Sequence, residues 1–167
     1  CVVFFSFTMT SSIWMQWLLP GFDEEQIEFS IRLFAILSVQ SAMDAVKGSK
    51  IKIFGVTALT SLSDDDTNQI YQRDASSQVN AMLDLAEESG IDGVVCSPHE
   101  LNLVSKRVGL LSITPGIRLV NTDDDQSRVM TPKQAIELGA DYLVIGRPIT
   151  ASDDISASLK EIYKSIQ

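Results

Sequence analysis

Cysteine and histidine are scarce in this chain, and their scarcity excludes whole classes of chemistry. Two cysteines and one histidine in 167 residues are too few for a disulfide framework or a Cys/His metal site. Cys96 sits inside the apolar run Gly93-Val94-Val95-Cys96, where a buried, inert thiol is expected. His99 has no nucleophile or ligand partner beside it in sequence, so no Ser/His/Asp hydrolase is indicated, and Ser97-Pro98-His99-Glu100 reads as a helix start. Positive charge is scarce as well. The 13 Lys and Arg against 22 Asp and Glu leave a net charge of −9, which repels a nucleic-acid backbone and excludes a nucleic-acid partner. Linkers, low-complexity tracts and internal repeats are absent, so the chain is expected to fold as one domain in a reducing, cytoplasmic setting.

Residues 1–22 contain no charge at all. The stretch is long enough to span a bilayer, but it has no basic flank or small-residue cleavage pattern, and its Ser, Thr and Gln residues lower its hydropathy; a membrane role is disfavoured. From Asp23 the pattern changes. An acidic first turn, Asp23-Glu24-Glu25, followed by Ile27, Ile31, Phe34 and Leu37, predicts a helix that runs to about Val46 and is stopped by Gly48. Short apolar runs then predict strands at 52–59, 93–96, 110–113 and 142–145, alternating with helices at 76–89, from 98, at 132–138 and at 155–166. The expected division is an apolar and helical segment over 1–44 and four consecutive βα units over 45–167. The fold class is therefore α/β, with parallel (βα) units of barrel type forming a partial barrel behind a helical N-terminal segment. In such folds reactive groups sit in the loops after the strands.

The stretch Asp141-Tyr142-Leu143-Val144-Ile145-Gly146-Arg147-Pro148-Ile149-Thr150 is the most informative one. It reads as a buried strand ending in a glycine that lets the backbone approach an anion, an arginine whose planar fork suits phosphate oxygens, and a helix-starting proline. Arg118, after Thr114-Pro115-Gly116-Ile117, brings a second cation to the same end of the sheet, and Gln126 can donate an amide to the same anion. The runs Asp64-Asp65-Asp66 and Asp123-Asp124-Asp125 lie among Ser, Thr and Asn and read as solvated turns, without the ligand spacing of a metal site.

Five blocks, Gly55-Val56-Thr57-Ala58-Leu59-Thr60-Ser61, Gly90-Ile91-Asp92-Gly93-Val94-Val95-Cys96-Ser97, Thr114-Pro115-Gly116-Ile117-Arg118, residues 125–132 and residues 141–150, resemble in order and spacing the C-terminal half of orotidine 5′-phosphate decarboxylases. The resemblance implies a homodimeric (βα)₈ barrel that converts orotidine 5′-phosphate to uridine 5′-phosphate (UMP) and CO₂ in pyrimidine synthesis, a lyase needing no metal or organic cofactor. It implies that Arg118, Gln126, Gly146 and Arg147 contact the substrate phosphate, that Thr60 lies at the pyrimidine, and that the loop around Gln126 closes over the phosphate. The family's Asp-x-Lys-x-x-Asp motif has no counterpart here, because Asp44-Ala45-Val46-Lys47 has the wrong spacing. No catalytic residue is carried over, and the expectation is a family member with impaired chemistry. The alternative is a noncatalytic half-barrel that binds a nucleotide phosphate.

Overall fold

The computed structural model describes residues 2–6, 21, 23–57, 74–119 and 129–167. In chain order the elements are β1 (Val2–Ser6), α1 (Glu24–Val46), β2 (Lys52–Val56), α2 (Ala75–Ser89), β3 (Gly93–Val95), a 3₁₀ turn (Pro98–Glu100) running into α3 (Leu101–Val104), β4 (Leu111–Thr114), α4 (Pro132–Glu137), β5 (Tyr142–Leu143), α5 (Arg147–Thr150) and α6 (Ile155–Ser165). The five strands pair in the order β1-β2-β3-β4-β5, all parallel. Consecutive parallel strands connected through helices are the arrangement of a barrel wall.

One element departs from the sequence reading. Four βα units were expected behind a helical N-terminal segment, and the structure has a fifth strand inside that segment. Val2–Ser6 pairs with β2 in the register Val2 to Lys52 through Ser6 to Val56. The apolar residues 2–5 had no helical period to read, and a strand at a sheet edge needs no more than an extended apolar run with a neighbour to bond. The helix predicted from Asp23 is present. Asp23 accepts from the Gln26 amide at 2.8 Å while the Gln26 side chain accepts from the Asp23 amide at 3.1 Å, a reciprocal cap, and Gly48 follows its end at φ 80. No helix among the described residues is long and apolar enough to cross a membrane.

The core lies between the sheet and its helices. Val39 of α1, Val79 and Leu83 of α2 and Leu101 of α3 pack with Ile53 of β2, Val94 of β3 and Ile117 beyond β4, all fully buried. On the other face of the sheet the Phe54 ring meets Tyr142 edge-on, with centroids 6.4 Å apart.

Two aspartates anchor the amino-terminal ends of the strands. Asp92 accepts from the Ile53 amide at 2.8 Å and Asp141 from the Ser112 amide at 2.8 Å. Each follows a glycine in the left-handed region two residues earlier, Gly90 at φ 69 and Gly139 at φ 90, so the chain turns out of a helix, drops one carboxylate onto the preceding strand and starts the next. These groups lie at the end of the sheet opposite the candidate site, where polar anchoring serves stability.

Candidate functional site

The carboxyl ends of the strands bring Arg118, Gly146 and Arg147 to one side of the molecule. Thr114 is the last residue of β4 and Leu143 the last of β5; Arg118 and Arg147 each stand four residues further on. The Val144 amide donates to the Thr114 carbonyl at 2.9 Å, so the pairing continues one residue past β5. The surroundings of the two arginines differ. Arg118 is buried, its Nη1 donating to the Ile117 carbonyl at 3.0 Å, whereas Arg147 is exposed at the first position of α5.

Gly146 is the N-cap of α5, and a Cβ built on it would meet nothing within 4 Å, so the backbone there borders open space, as an anion contact requires. The helix that follows is only four residues long, too short for a strong macrodipole; the anion affinity of this segment rests on the guanidinium and the local amides. Thr60 and Gln126 lie outside the described residues, as do Asp64, Asp65, Asp66, Asp123, Asp124 and Asp125. No cluster of three or more potential metal ligands occurs among the described residues.

The loop that carries Gln126 is closed at its base. The Arg118 amide donates to the Met130 carbonyl at 3.0 Å and the Met130 amide donates to the Gly116 carbonyl at 3.2 Å, a parallel bridge between Ile117 and Met130. Thr131 then caps α4, with Gln134 as its reciprocal partner and Pro132 at the first helical position. The polar motif from 125 to 132 thus ends in an anchor at Met130 and Thr131.

Beneath these loops lies a buried polar layer that the sequence reading did not assemble. The Glu100 carboxylate accepts from the Ser97 amide at 3.0 Å and from the Thr57 hydroxyl at 3.4 Å, and that hydroxyl also lies 3.0 Å from the Val95 carbonyl, to which it can donate. One side chain therefore ties the end of β2 to the turn after β3. Its signal was legible as the Ser-x-x-Glu spacing of a capping box, which predicts the helix start but not the link to Thr57. Next to it, burial and then the Glu100 charge push the Cys96 thiol from 9.0 up to about 12, against a hydrogen bond with Thr114 that pulls it down. This thiol is inert at neutral pH, as expected from its apolar run.

Known proteins resemble the chain in sequence and fold. The family described as Orotidine 5'-phosphate decarboxylase / HUMPS matches residues 33–162, a match that begins within the segment expected to have no counterpart. The chain is 46% identical over 131 residues to the orotidine 5′-phosphate decarboxylase of Wolbachia pipientis subsp. Culex pipiens, covering 77% of this chain and 58% of that one. It is 50% identical over 118 residues to the enzyme of that name from Glaesserella parasuis, covering 68% and 51%. Among solved structures, orotidine 5′-phosphate decarboxylase from Lactobacillus acidophilus superposes with a TM-score of 0.65 at 34% identity, over 81% of this chain and 61% of that one. An uncharacterized conserved protein from Geobacillus kaustophilus shares the fold at a TM-score of 0.64 and 22% identity, over 99% of this chain and 76% of that one. The chain spans between half and three-fifths of the length of the curated relatives it matches.

Proposed function

Because this chain belongs to the orotidine 5'-phosphate decarboxylase / HUMPS family, we propose that it forms the phosphate-gripping side of an orotidine 5′-phosphate decarboxylase site and binds UMP through it. The observation that carries the reading is the pair of arginines set four residues past the ends of adjacent strands. Arg147 offers bidentate contacts to phosphate oxygens from an exposed position, Arg118 holds the base of the loop, Gln126 adds an amide, and Thr60 meets the pyrimidine. The partner is a small molecule in the cytoplasm.

Gripping a phosphate that does not react has a chemical purpose. Binding energy from the remote group can close the site and drive strain at the carboxylate that leaves. Decarboxylation leaves a carbanion on the pyrimidine ring, which needs a positioned ammonium to stabilise and protonate it. None of the lysines of this sequence falls in an Asp-x-Lys-x-x-Asp spacing, so these 167 residues supply binding without the proton donor. The test is a spectrophotometric assay of orotidine 5′-phosphate with the purified chain. The expected result is UMP binding with no turnover; turnover abolished in Arg147→Ala would mean that a lysine outside that spacing performs the chemistry.

A further inference from the structure

Glu100 is the only buried carboxylate among the described residues, 6% exposed, and the phosphate grip gives it no task. Its place in the fold differs from that of the two aspartates that bond across strands. Asp92 and Asp141 accept backbone amides at the amino-terminal ends of the strands, where polar anchoring serves stability. Glu100 stands at the opposite end, in the turn that follows β3, where a barrel wall carries its reactive loops.

One oxygen of Glu100 takes donors from two strand ends. Oε2 accepts from the Ser97 amide at 3.0 Å and from the Thr57 hydroxyl at 3.4 Å. Thr57 is the first residue past β2 and Ser97 the second past β3, and both are buried. The cap of the 3₁₀ turn uses only the Ser97 contact. The contact with Thr57 is extra to that cap, and the pairing of β2 with β3 does not depend on it either. The Thr57 amide and hydroxyl lie 3.1 and 3.0 Å from the Val95 carbonyl, so the two strands stay joined when the carboxylate is removed. What the carboxylate adds is a tether between the chain leaving β2 and the turn leaving β3. Such a tether supports the geometry of a binding site more than it supports the fold.

Thr60, which the proposed site sets at the pyrimidine, comes three residues after Thr57 in the sequence. Resting on the reading of this site as one that binds UMP, we propose that Glu100 is a positioning residue for the base half of that site. By bonding Thr57 and Ser97 together it fixes the carboxyl end of β2 against the turn after β3, while the phosphate contacts of Gly146 and Arg147, after β5, are set without it.

The experiment is calorimetric titration of the full chain with UMP and, separately, with ribose 5-phosphate, which keeps the phosphate and sugar and lacks the base. The variants are Glu100→Ala, Glu100→Gln, which retains an acceptor, and Thr57→Val, which cuts the tether from its other end and leaves the cap of the turn intact. Circular dichroism checks the fold of each. The parent is expected to bind UMP more tightly than ribose 5-phosphate. Glu100→Ala and Thr57→Val should each lose about three- to tenfold in UMP affinity, the scale of one net hydrogen bond. Their affinity for ribose 5-phosphate should be unchanged, and Glu100→Gln should bind UMP like the parent. Should Glu100→Ala fail to fold, Thr57→Val decides alone. A UMP affinity equal to the parent's in Thr57→Val overturns the proposal, and so does an equal loss of both ligands, the mark of a side chain that supports only the fold. A parent that binds both ligands alike overturns it too, leaving the phosphate site standing with no base half to position. A parent that binds neither ligand removes the phosphate site itself, and the proposal with it.

Discussion

Gly93 leaves the space that Phe54 fills. A Cβ on Gly93 would lie 2.6 Å from Cε1 of Phe54 and 2.2 Å from the carbonyl oxygen of Leu111. The second contact is with backbone of the neighbouring strand, which a rotamer change cannot relieve. Phe54 in turn reaches across to Tyr142 on β5, so a glycine on β3 allows one aromatic ring to link β2 with the far side of the sheet.

Gly93→Ala is therefore expected to destabilise the fold by about 3 kcal/mol, the upper part of the range for forced overpacking. The midpoint of urea unfolding should fall with an unchanged slope. A stability within about 0.5 kcal/mol of the parent, the scale of a surface substitution, would show that the strands separate freely at this point.

Asp141 bonds both the Ser112 amide and the Ser112 hydroxyl, at 2.8 and 3.1 Å, and its own amide donates back to that hydroxyl at 2.9 Å. Asp141→Ala strands a backbone donor in a partly buried place, at a cost of about 1–3 kcal/mol. Ser112→Ala should account for part of the same loss, and the double variant should lose less than the sum of the two.

The Cys96 thiol makes stability fall with alkalinity. Its folded-state value of about 12 lies above the ordinary 9.0, so above pH 9 the unfolded chain gives up a proton that the folded chain keeps, and stability declines from there toward pH 12. Cys96→Ala should flatten that part of the pH profile. In the native protein at pH 8, Cys96 should resist a thiol reagent until denaturant is added; rapid labelling would contradict its burial.

Much of this architecture was legible because each signal was local. Apolar runs gave β2 to β5 to within a few residues, and the helix starts read at Asp23 and Ser97 are capped by those side chains, which accept from the Gln26 and His99 amides. Strand β1 was not legible, since nothing in Val2–Ser6 identifies its neighbour and only the pairing with β2 makes it a strand. The Glu100 link to Thr57 joins residues 43 apart, beyond the reach of spacing arguments. Of the site, Gly146 and Arg147 start a helix where the Gly-Arg-Pro motif put one, but the burial of Arg118 and the bridge of its segment to Met130, a contact between residues far apart in sequence, were not legible.

Calorimetric titration of the full chain with UMP, repeated on Arg147→Ala, tests the central claim most directly. Removing one guanidinium from a phosphate removes charge-assisted bonds of about 1.5–3 kcal/mol, a tenfold to hundredfold loss of affinity. The account predicts saturable binding by the parent and a loss of that size in the variant. An equal affinity in the two proteins, or no heat of binding in the parent, would contradict it.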